Sequence, residues 1–206
     1  MLLNEFTRLH QEFVKKHGIE EWFLRVPAHT ADCTGQRGQW LLKQLPKIYK
    51  PNMKVIDLCG GHGEYGAYLQ AVEGYKFDYT CLDNNEKRIA VAPEYFSLFG
   101  LEGLFKVHDV NLPLPFSEEM FDLALCFAWC QNQINCYQFF RETHRILKPD
   151  GSFMMNMCSL AGFKPPYVIA YAKSDLKALL ETCRFPTILI DEICQGLEYG
   201  VWAMKV

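Results

Sequence analysis

The sequence contains no long hydrophobic run and no strong excess of one charge. No apolar stretch approaches the length of about 18 residues that a membrane-spanning helix needs. Charged side chains within residues 1–13 come too early for a secretory signal peptide. Lys and Arg number 21 against 24 Asp and Glu, and the net charge of −3 gives no general attraction for polyanions. We therefore expect a cytoplasmic protein with neither a membrane nor a nucleic-acid partner.

Motifs for metal binding and for two common classes of nucleotide enzyme are also missing. The nine cysteines include no Cys-x-x-Cys pair and no Cys/His cluster with zinc-site spacing, which predicts buried free thiols and no metal. No Gly-Lys-Ser/Thr is present, which excludes a P-loop. No Tyr-x-x-x-Lys occurs either, which removes the commonest machinery of short-chain reductases.

The chain does contain an alternation of strand-like and helix-like segments. Half of its 206 residues are hydrophobic, enough for one folded domain. From residue 54 onward, short apolar strand candidates alternate with helical patterns, which predicts a parallel sheet covered on both faces. The last two strand candidates, 187–195 and 199–206, are separated by only Gly-Leu-Glu, which predicts an antiparallel hairpin.

The first 50 residues differ from the rest in charge, and we interpret them as a helical extension to a single domain over 51–206. They carry 8 Lys and Arg against 5 Asp and Glu. An amphipathic helix is predicted over 2–17. Its apolar stripe consists of Leu2, Phe6, Leu9 and Phe13. Residues 26–38, rich in Pro, Thr and Gly, are predicted to form a loop.

A cluster of glycines follows the first predicted strand, in the stretch VIDLCGGHGEYG. Gly61, Gly63 and Gly66 match the G-x-G-x-x-G pattern of dinucleotide-binding folds, and Asp83 lies 20 residues after Gly63, where it can hold a ribose hydroxyl. A nicotinamide-binding domain is therefore one alternative. Asp57 argues against it, because a carboxylate at the strand tip would repel a pyrophosphate. An adenosyl ligand that carries an ammonium group in place of phosphates would be attracted.

Four elements, taken in order, resemble the class I S-adenosylmethionine-dependent methyltransferases. VIDLCGGHG matches that family's strand, acid and glycine loop, and TCLDNN matches the acid that ends the next strand. KVHDVNLPLPF resembles the third element, and FDLALCFAWCQNQ with ETHRILKPDGSF resembles the fourth. The resemblance implies S-adenosylmethionine as the cofactor. It also implies an α/β fold: a Rossmann-like, doubly wound, mostly parallel seven-stranded sheet with an antiparallel last strand.

The resemblance further implies roles for individual residues. Asp57 would orient the amino group of the cofactor, Asp83 would bind its ribose hydroxyls, and Asp109 would face its adenine amino group. The full set of implied cofactor-binding residues is Asp57, Cys59, Gly60, Gly61, Gly63, Asp83, Asn84, His108, Asp109, Val110, Cys126 and Phe127. The sequence departs from the family pattern at Cys59, which replaces the first glycine, and at 131–132, where Gln-Asn replaces a histidine pair.

With this cofactor, the expected reaction is direct in-line methyl transfer to a small molecule. The absence of Asn-Pro-Pro-Tyr/Phe after the fourth strand disfavours nucleobases and glutamine side chains as acceptors. The expected acceptor-site residues are Trp22, Arg25, Trp129 and Asn132. His29 is the candidate general base, because His10, His17 and His144 are expected on solvated helix faces.

Two other functions stay open at this point. A methyltransferase of RNA or protein is favoured if the basic residues Lys43, Lys47 and Lys50 border the pocket, and a non-catalytic S-adenosylmethionine-binding subunit would carry the same motifs. We also predict that residues 1–50 form a helical lid over the cofactor, because the stretch between the fifth strand and the next helix offers little material for a cap.

Overall fold

The computed structural model describes residues 1–20, 24–127, 135–163 and 169–206. The helices within these residues are α1 Leu3–Lys16, α2 Cys33–Gln44, α3 Glu64–Ala71, α4 Glu86–Ser97, α5 Cys136–Ile146 and α6 Lys173–Thr182. The strands are β1 Met53–Leu58, β2 Phe77–Asp83, β3 Leu104–Val107, β4 Phe121–Cys126, β5 Leu147–Cys158, β6 Thr187–Ile193 and β7 Glu198–Met204. None of the helices in this part of the chain is long and apolar enough to cross a membrane.

The strands form one seven-stranded sheet in the order β3-β2-β1-β4-β5-β7-β6. Strands β1 to β5 pair in parallel, whereas β7 runs antiparallel to both of its neighbours, β5 and β6. This arrangement confirms the predicted fold and the predicted C-terminal hairpin. The order reverses at β1 and β4, so the carboxyl ends of these two strands flank the crevice in which doubly wound sheets bind their ligands.

Both faces of the sheet are covered, as the apolar strands predicted. Ile56 and Leu58 of β1 belong to one core cluster, which α5 and α6 cover with residues such as Phe139 and Leu176. Val55 points to the other face, where side chains of α1 to α4 form a second cluster. Because side chains alternate along a strand, a strand buried on both faces reads as a continuous apolar run.

Helix α1 packs against α3 and α4 through a stripe that the sequence predicted only in part. Phe6 and Phe13 are buried, but Leu2 lies before the helix and is 79% exposed. The expectation that His10 is solvated is wrong: it is fully buried, and its Nδ1 lies 2.8 Å from the hydroxyl oxygen of Tyr95. The spacing of positions 6, 10 and 13 puts the histidine on the same helix face as the two phenylalanines.

Helix α2 begins inside the predicted loop 26–38, so that prediction is confirmed for 26–32 and wrong for 33–38. Asp32 caps the helix, and its carboxylate accepts hydrogen bonds from two backbone N–H groups of the first turn. Gly35 and Gly38, read as loop residues, are helical. A Cβ on them would lie 1.7 and 2.3 Å from backbone atoms of the preceding loop, so close packing requires these glycines.

Helix α2 anchors the N-terminal segment to strands β6 and β7 of the sheet. The ring of Trp40 packs on Gly200 of β7, where a Cβ would come within 2.5 Å of it, and its indole N–H donates to Asp191 at 2.9 Å. Trp40 is therefore a core residue. Arg37 forms a buried ion pair with Glu198, the first residue of β7. Residues 1–50 thus share a core with the sheet, and their role as a lid stays a prediction.

Candidate functional site

The carboxyl ends of β1 and β2 bring the two strand-end acids to the same edge of the sheet. The strands pair in parallel with Asp57 opposite Cys81, and Asp83 ends β2 two residues later. One carboxylate oxygen of Asp83 accepts the N–H of Gly61 at 2.9 Å, and the other accepts the N–H of Asn85 at 2.8 Å. Asp83 therefore fixes the glycine loop to the end of the neighbouring strand.

Different structural reasons explain why glycine stands at each of these positions of the loop. A Cβ on Gly60 would lie 2.6 Å from the carboxyl carbon of Asp57, so the bare backbone lets that side chain turn in beneath the loop. Gly61 and Gly63 have φ values of 60° and 86°, in the left-handed region that favours glycine. A Cβ on Gly63 would also lie 2.6 Å from the ring of Phe96. The sequence reasoning assigned Gly63 to the cofactor, and the structure adds this packing requirement from α4.

Cys59 occupies a left-handed position without being a glycine. Its φ is 67°, in the left-handed region, where a residue that carries a Cβ has a higher free energy than glycine. Its thiol hydrogen-bonds to that of Cys126 at the end of β4; this bond and burial hold the pKa of Cys59 well above its ordinary value. The group therefore stays a thiol at neutral pH and is a poor nucleophile.

Asp57 is the most strongly perturbed of the predicted acids. It is 3% exposed, and burial raises its pKa to about 7; a hydrogen bond from the Tyr79 hydroxyl at 2.9 Å opposes the rise, and the charge of Asp83 adds to it. A buried carboxyl with this environment gains from a positive partner. The site is therefore suited to a ligand that brings a cation, and poorly suited to a phosphate.

The segment after β3 reaches the same edge. The backbone N–H of His108 donates to the carbonyl oxygen of Asp83 at 3.0 Å, and Val110 is buried. The Nε2 atom of His108 is buried and has no hydrogen-bond partner among the described residues. Asp109 is exposed, and its Oδ1 accepts two hydrogen bonds from Asn111. The predicted adenine-side residues are thus brought next to the ribose-side acid.

Two residues that the sequence reasoning missed open helix α3. Glu64 and Tyr65 are buried, and neither Glu64 Oε2 nor the Tyr65 hydroxyl has a hydrogen-bond partner in the part of the chain that the structure describes. The Tyr65 ring stacks on Phe127, directly after β4, at a centroid distance of 5.1 Å. The sequence did contain one signal for their role. They follow Gly63 directly, and a polar side chain at this position faces the crevice at the strand ends.

The predicted catalytic histidine lies in the loop before α2, and its side chain contacts α3. His29 is exposed, and its Nε2 lies 2.7 Å from the hydroxyl oxygen of Tyr68, which in turn donates to Glu73 beyond the end of the helix. This chain of hydrogen bonds leads away from the glycine loop, and the role of His29 as a base stays a prediction. The loop histidine His62 is buried, and burial holds its pKa well below the ordinary value, so it is neutral.

The remaining predicted residues fall into two groups. Arg25 is exposed and forms an ion pair with Asp32 at 2.9 Å. The other three acceptor-site residues, Trp22, Trp129 and Asn132, lie outside the described residues, as does Gln131.

Three lysines of the N-terminal segment lie toward the amino end of β1. Lys43 is in the last turn of α2, and Lys47 and Lys50 follow it, just before β1 begins at Met53. The amino end of β1 and the glycine loop are separated by the length of the strand, about 20 Å for six residues.

Comparison with known protein families decides between a nicotinamide-binding domain and a methyltransferase. A family described as a methyltransferase domain matches residues 49–202, most of the chain. The chain belongs to the class I S-adenosylmethionine-dependent methyltransferases.

Named relatives and solved structures agree with this membership. A demethylmenaquinone methyltransferase of Bacillus cytotoxicus is 26% identical over 125 residues, which cover 59% of this chain and 53% of that protein. The ubiquinone/menaquinone biosynthesis C-methyltransferase UbiE of Shewanella woodyi is 30% identical over 107 residues, or 52% and 43% of the two chains. The matched region thus spans about half the length of these relatives.

Solved structures of methyltransferases share the fold. A methyltransferase dependent on S-adenosylmethionine from Aquifex aeolicus superposes with a TM-score of 0.64 at 20% identity, over 80% of this chain and 89% of that one. Another from Methanosarcina mazei gives a TM-score of 0.63 at 18% identity, over 78% and 96%.

The residues of this methyltransferase fit S-adenosylmethionine, the cofactor of the family. Each carboxylate oxygen of Asp83 accepts one backbone N–H and retains a lone pair for a ribose hydroxyl. Asp57 is a buried carboxyl that forms no ion pair with a basic side chain in the part of the chain that the structure describes. The bare backbone at Gly60 and Gly61 leaves room for close approach of a ligand to the loop.

Proposed function

We propose that this methyltransferase transfers a methyl group to a carbon of a small aromatic acceptor of the quinol type. Its relatives are named for menaquinone and ubiquinone methylation, which supports an acceptor of that chemical class. The single observation that carries the proposal is the stacked pair of Tyr65 and Phe127 at the carboxyl end of β4. It offers an aromatic pair and a hydroxyl that has no hydrogen-bond partner among the described residues, at the edge that holds the glycine loop.

Each side chain has a defined task in this scheme. S-adenosylmethionine, when bound, supplies the electrophilic methyl group. Asp57 and Asp83 hold its amino group and its ribose, while Phe127 and Tyr65 present an apolar wall to the acceptor ring and exclude water. Burial holds the pKa of Tyr65 above its ordinary value, so its hydroxyl donates a hydrogen bond to an oxygen of the acceptor and does not act as a base.

The location of the lysines supports a small molecule over RNA. An RNA substrate would need a basic surface next to the reacting group, and Lys43, Lys47 and Lys50 lie toward the amino end of β1. We propose in addition that residues 1–50 act as the lid that keeps water from the transfer.

The test is a transfer assay with S-adenosylmethionine labelled on its methyl group. A reduced demethylnaphthoquinol with a short prenyl chain should carry label into the organic phase, whereas its oxidised quinone should not, because the quinone ring is not nucleophilic. Tyr65→Phe should lower kcat/KM by about tenfold, because the variant loses one hydrogen bond to an acceptor oxygen that carries or develops negative charge. Label recovered in RNA or protein, and not in the quinol, would refute the proposal.

A further inference from the structure

One oxygen of the Glu64 carboxyl group, Oε2, is buried without a hydrogen-bond partner among the described residues. Glu64 is the first residue of α3, directly after Gly63, and it is 9% exposed. A buried, unsatisfied carboxyl oxygen destabilises the fold, so packing alone does not explain why an acid stands at this position.

The charges around Glu64 come from three other elements. Burial raises its pKa most, and the charge of Asp57 at the end of β1 raises it further. Arg88 of α4 and Arg37 of α2 lower it, and the balance puts the pKa at about 8. Both arginines form ion pairs elsewhere: Arg88 with Glu20 at 2.6 Å, and Arg37 with Glu198.

Asp57 of β1 and Glu64 of α3 therefore influence each other's protonation. The charge of Asp57 raises the pKa of Glu64, and both acids hold protons more tightly than acids in water. Asp57 also interacts with two residues of β2, Asp83 by its charge and Tyr79 by its hydrogen bond. Two carboxyl groups that interact in this way resist ionising together unless a cation joins them.

We propose that Glu64 is a second carboxylate ligand for the amino group of the methionine part of S-adenosylmethionine, beside Asp57. An ammonium group has three N–H donors, whereas Asp57 already uses Oδ2 for the Tyr79 hydroxyl. Glu64 supplies the acceptor that remains missing. The inference concerns the cofactor alone and does not depend on the acceptor named above.

One consequence is that cofactor binding releases protons. The free protein holds protons on this pair at neutral pH, and the ammonium group replaces them. Affinity should accordingly rise as the pH increases from 6 to 8. Glu64→Gln should show a smaller rise and should release fewer protons, because its amide cannot ionise.

The experiment is titration calorimetry of S-adenosylhomocysteine against the full chain, without any acceptor. Glu64→Gln should weaken binding by about tenfold or more, as expected for a lost hydrogen bond to a charged group. It should leave the affinity for 5′-methylthioadenosine unchanged, because that nucleoside lacks the α-amino group of the methionine part. Repeating the titrations at pH 7 in buffers of different ionisation enthalpy gives the number of protons released.

Glu12→Gln is the matched control. It removes the carboxylate of the exposed pair Arg8–Glu12, and it should change none of these quantities. The proposal is overturned if Glu64→Gln binds S-adenosylhomocysteine as tightly as the parent protein. It is also overturned if the variant loses affinity for both nucleosides equally, since Glu64 would then only shape the loop. A thermal melt of each free variant verifies that it is folded.

Discussion

The ion pair between Arg37 and Glu198 is the side-chain contact whose loss we expect to destabilise the fold most. The two residues are 7% and 3% exposed. Nε of Arg37 donates to Oε2 of Glu198 at 2.7 Å, Nη2 donates to Oε1, and Asn156 donates to Oε2 at 2.9 Å. Burial opposes the charge on Arg37, but Glu198 outweighs it and holds the pKa of the guanidinium above its ordinary value.

Arg37→Met keeps much of the side-chain volume and leaves Glu198 buried with Asn156 as a donor. Removing one partner of a buried pair costs about 3–5 kcal/mol, because the remaining charge stays out of water. For a chain of this size, the free energy of unfolding falls by about 2 kcal/mol per molar urea, so the midpoint should drop by about 2 M. Urea unfolding followed by tryptophan fluorescence measures this shift.

Two comparisons make the test specific. Arg8→Met removes one partner of the exposed pair Arg8–Glu12, whose side chains are 58% and 61% exposed, and should cost less than about 1 kcal/mol. The double variant Arg37→Met with Glu198→Leu should recover most of the lost stability, because no buried charge remains. A midpoint drop below about 0.5 M for Arg37→Met, or a double variant no more stable than the single one, would refute the reasoning.

Further outcomes follow from the site and its packing. Asp83→Asn should weaken S-adenosylhomocysteine binding by about 1.5–3 kcal/mol in calorimetry, and an unchanged affinity would contradict its ribose role. The pKa of Asp57 is raised from 3.8 to about 7, mainly by burial, so the folded state keeps a proton that the unfolded chain releases. The stability of the free protein should therefore fall by up to about 4 kcal/mol as pH rises from about 4 to 7. Asp57→Asn should remove most of that slope in urea unfolding; equal slopes would count against the assignment. Gly66→Ala would put a Cβ 2.3 Å from the Tyr79 ring and should destabilise by about 1–3 kcal/mol despite alanine's helix preference, whereas a raised Tm would disprove the overlap. If residues 1–50 form a lid, their amide exchange should slow when S-adenosylhomocysteine binds, and unaltered exchange would exclude a lid.

The sheet was predictable because its signals are local. Continuous apolar runs such as the one in β1 indicated buried parallel strands, and the short break before β7 indicated the hairpin. The helix start at Cys33 was not recognised, because Gly35 and Gly38 resemble loop residues until the backbone that they pack against is known. His10 was misjudged for a related reason: its burial depends on Tyr95, far along the chain.

The candidate site was predictable where it depends on chain order. Asp57 and Asp83 each end a strand, and parallel strands bring such ends together. The environments of Glu64 and Tyr65 depend on tertiary packing, in which Arg37 and Asp57 come from separate elements. Their unsatisfied atoms are therefore visible only in three dimensions. The Arg37–Glu198 pair joins positions 161 residues apart, a contact that no local pattern could indicate.

The insertion of β7 between β5 and β6 has a consequence for synthesis on the ribosome. Strand β6 lies at the sheet's edge and pairs with β7, which is translated after it. While the chain emerges, β3, β2, β1, β4 and β5 can associate, but one side of β5 stays open to pairing with other chains. The arrival of 198–204 closes that edge, and it also delivers Glu198 to Arg37. Anchoring of α2 to the sheet is thus delayed until β7 is made, although α2 is among the first segments to be translated.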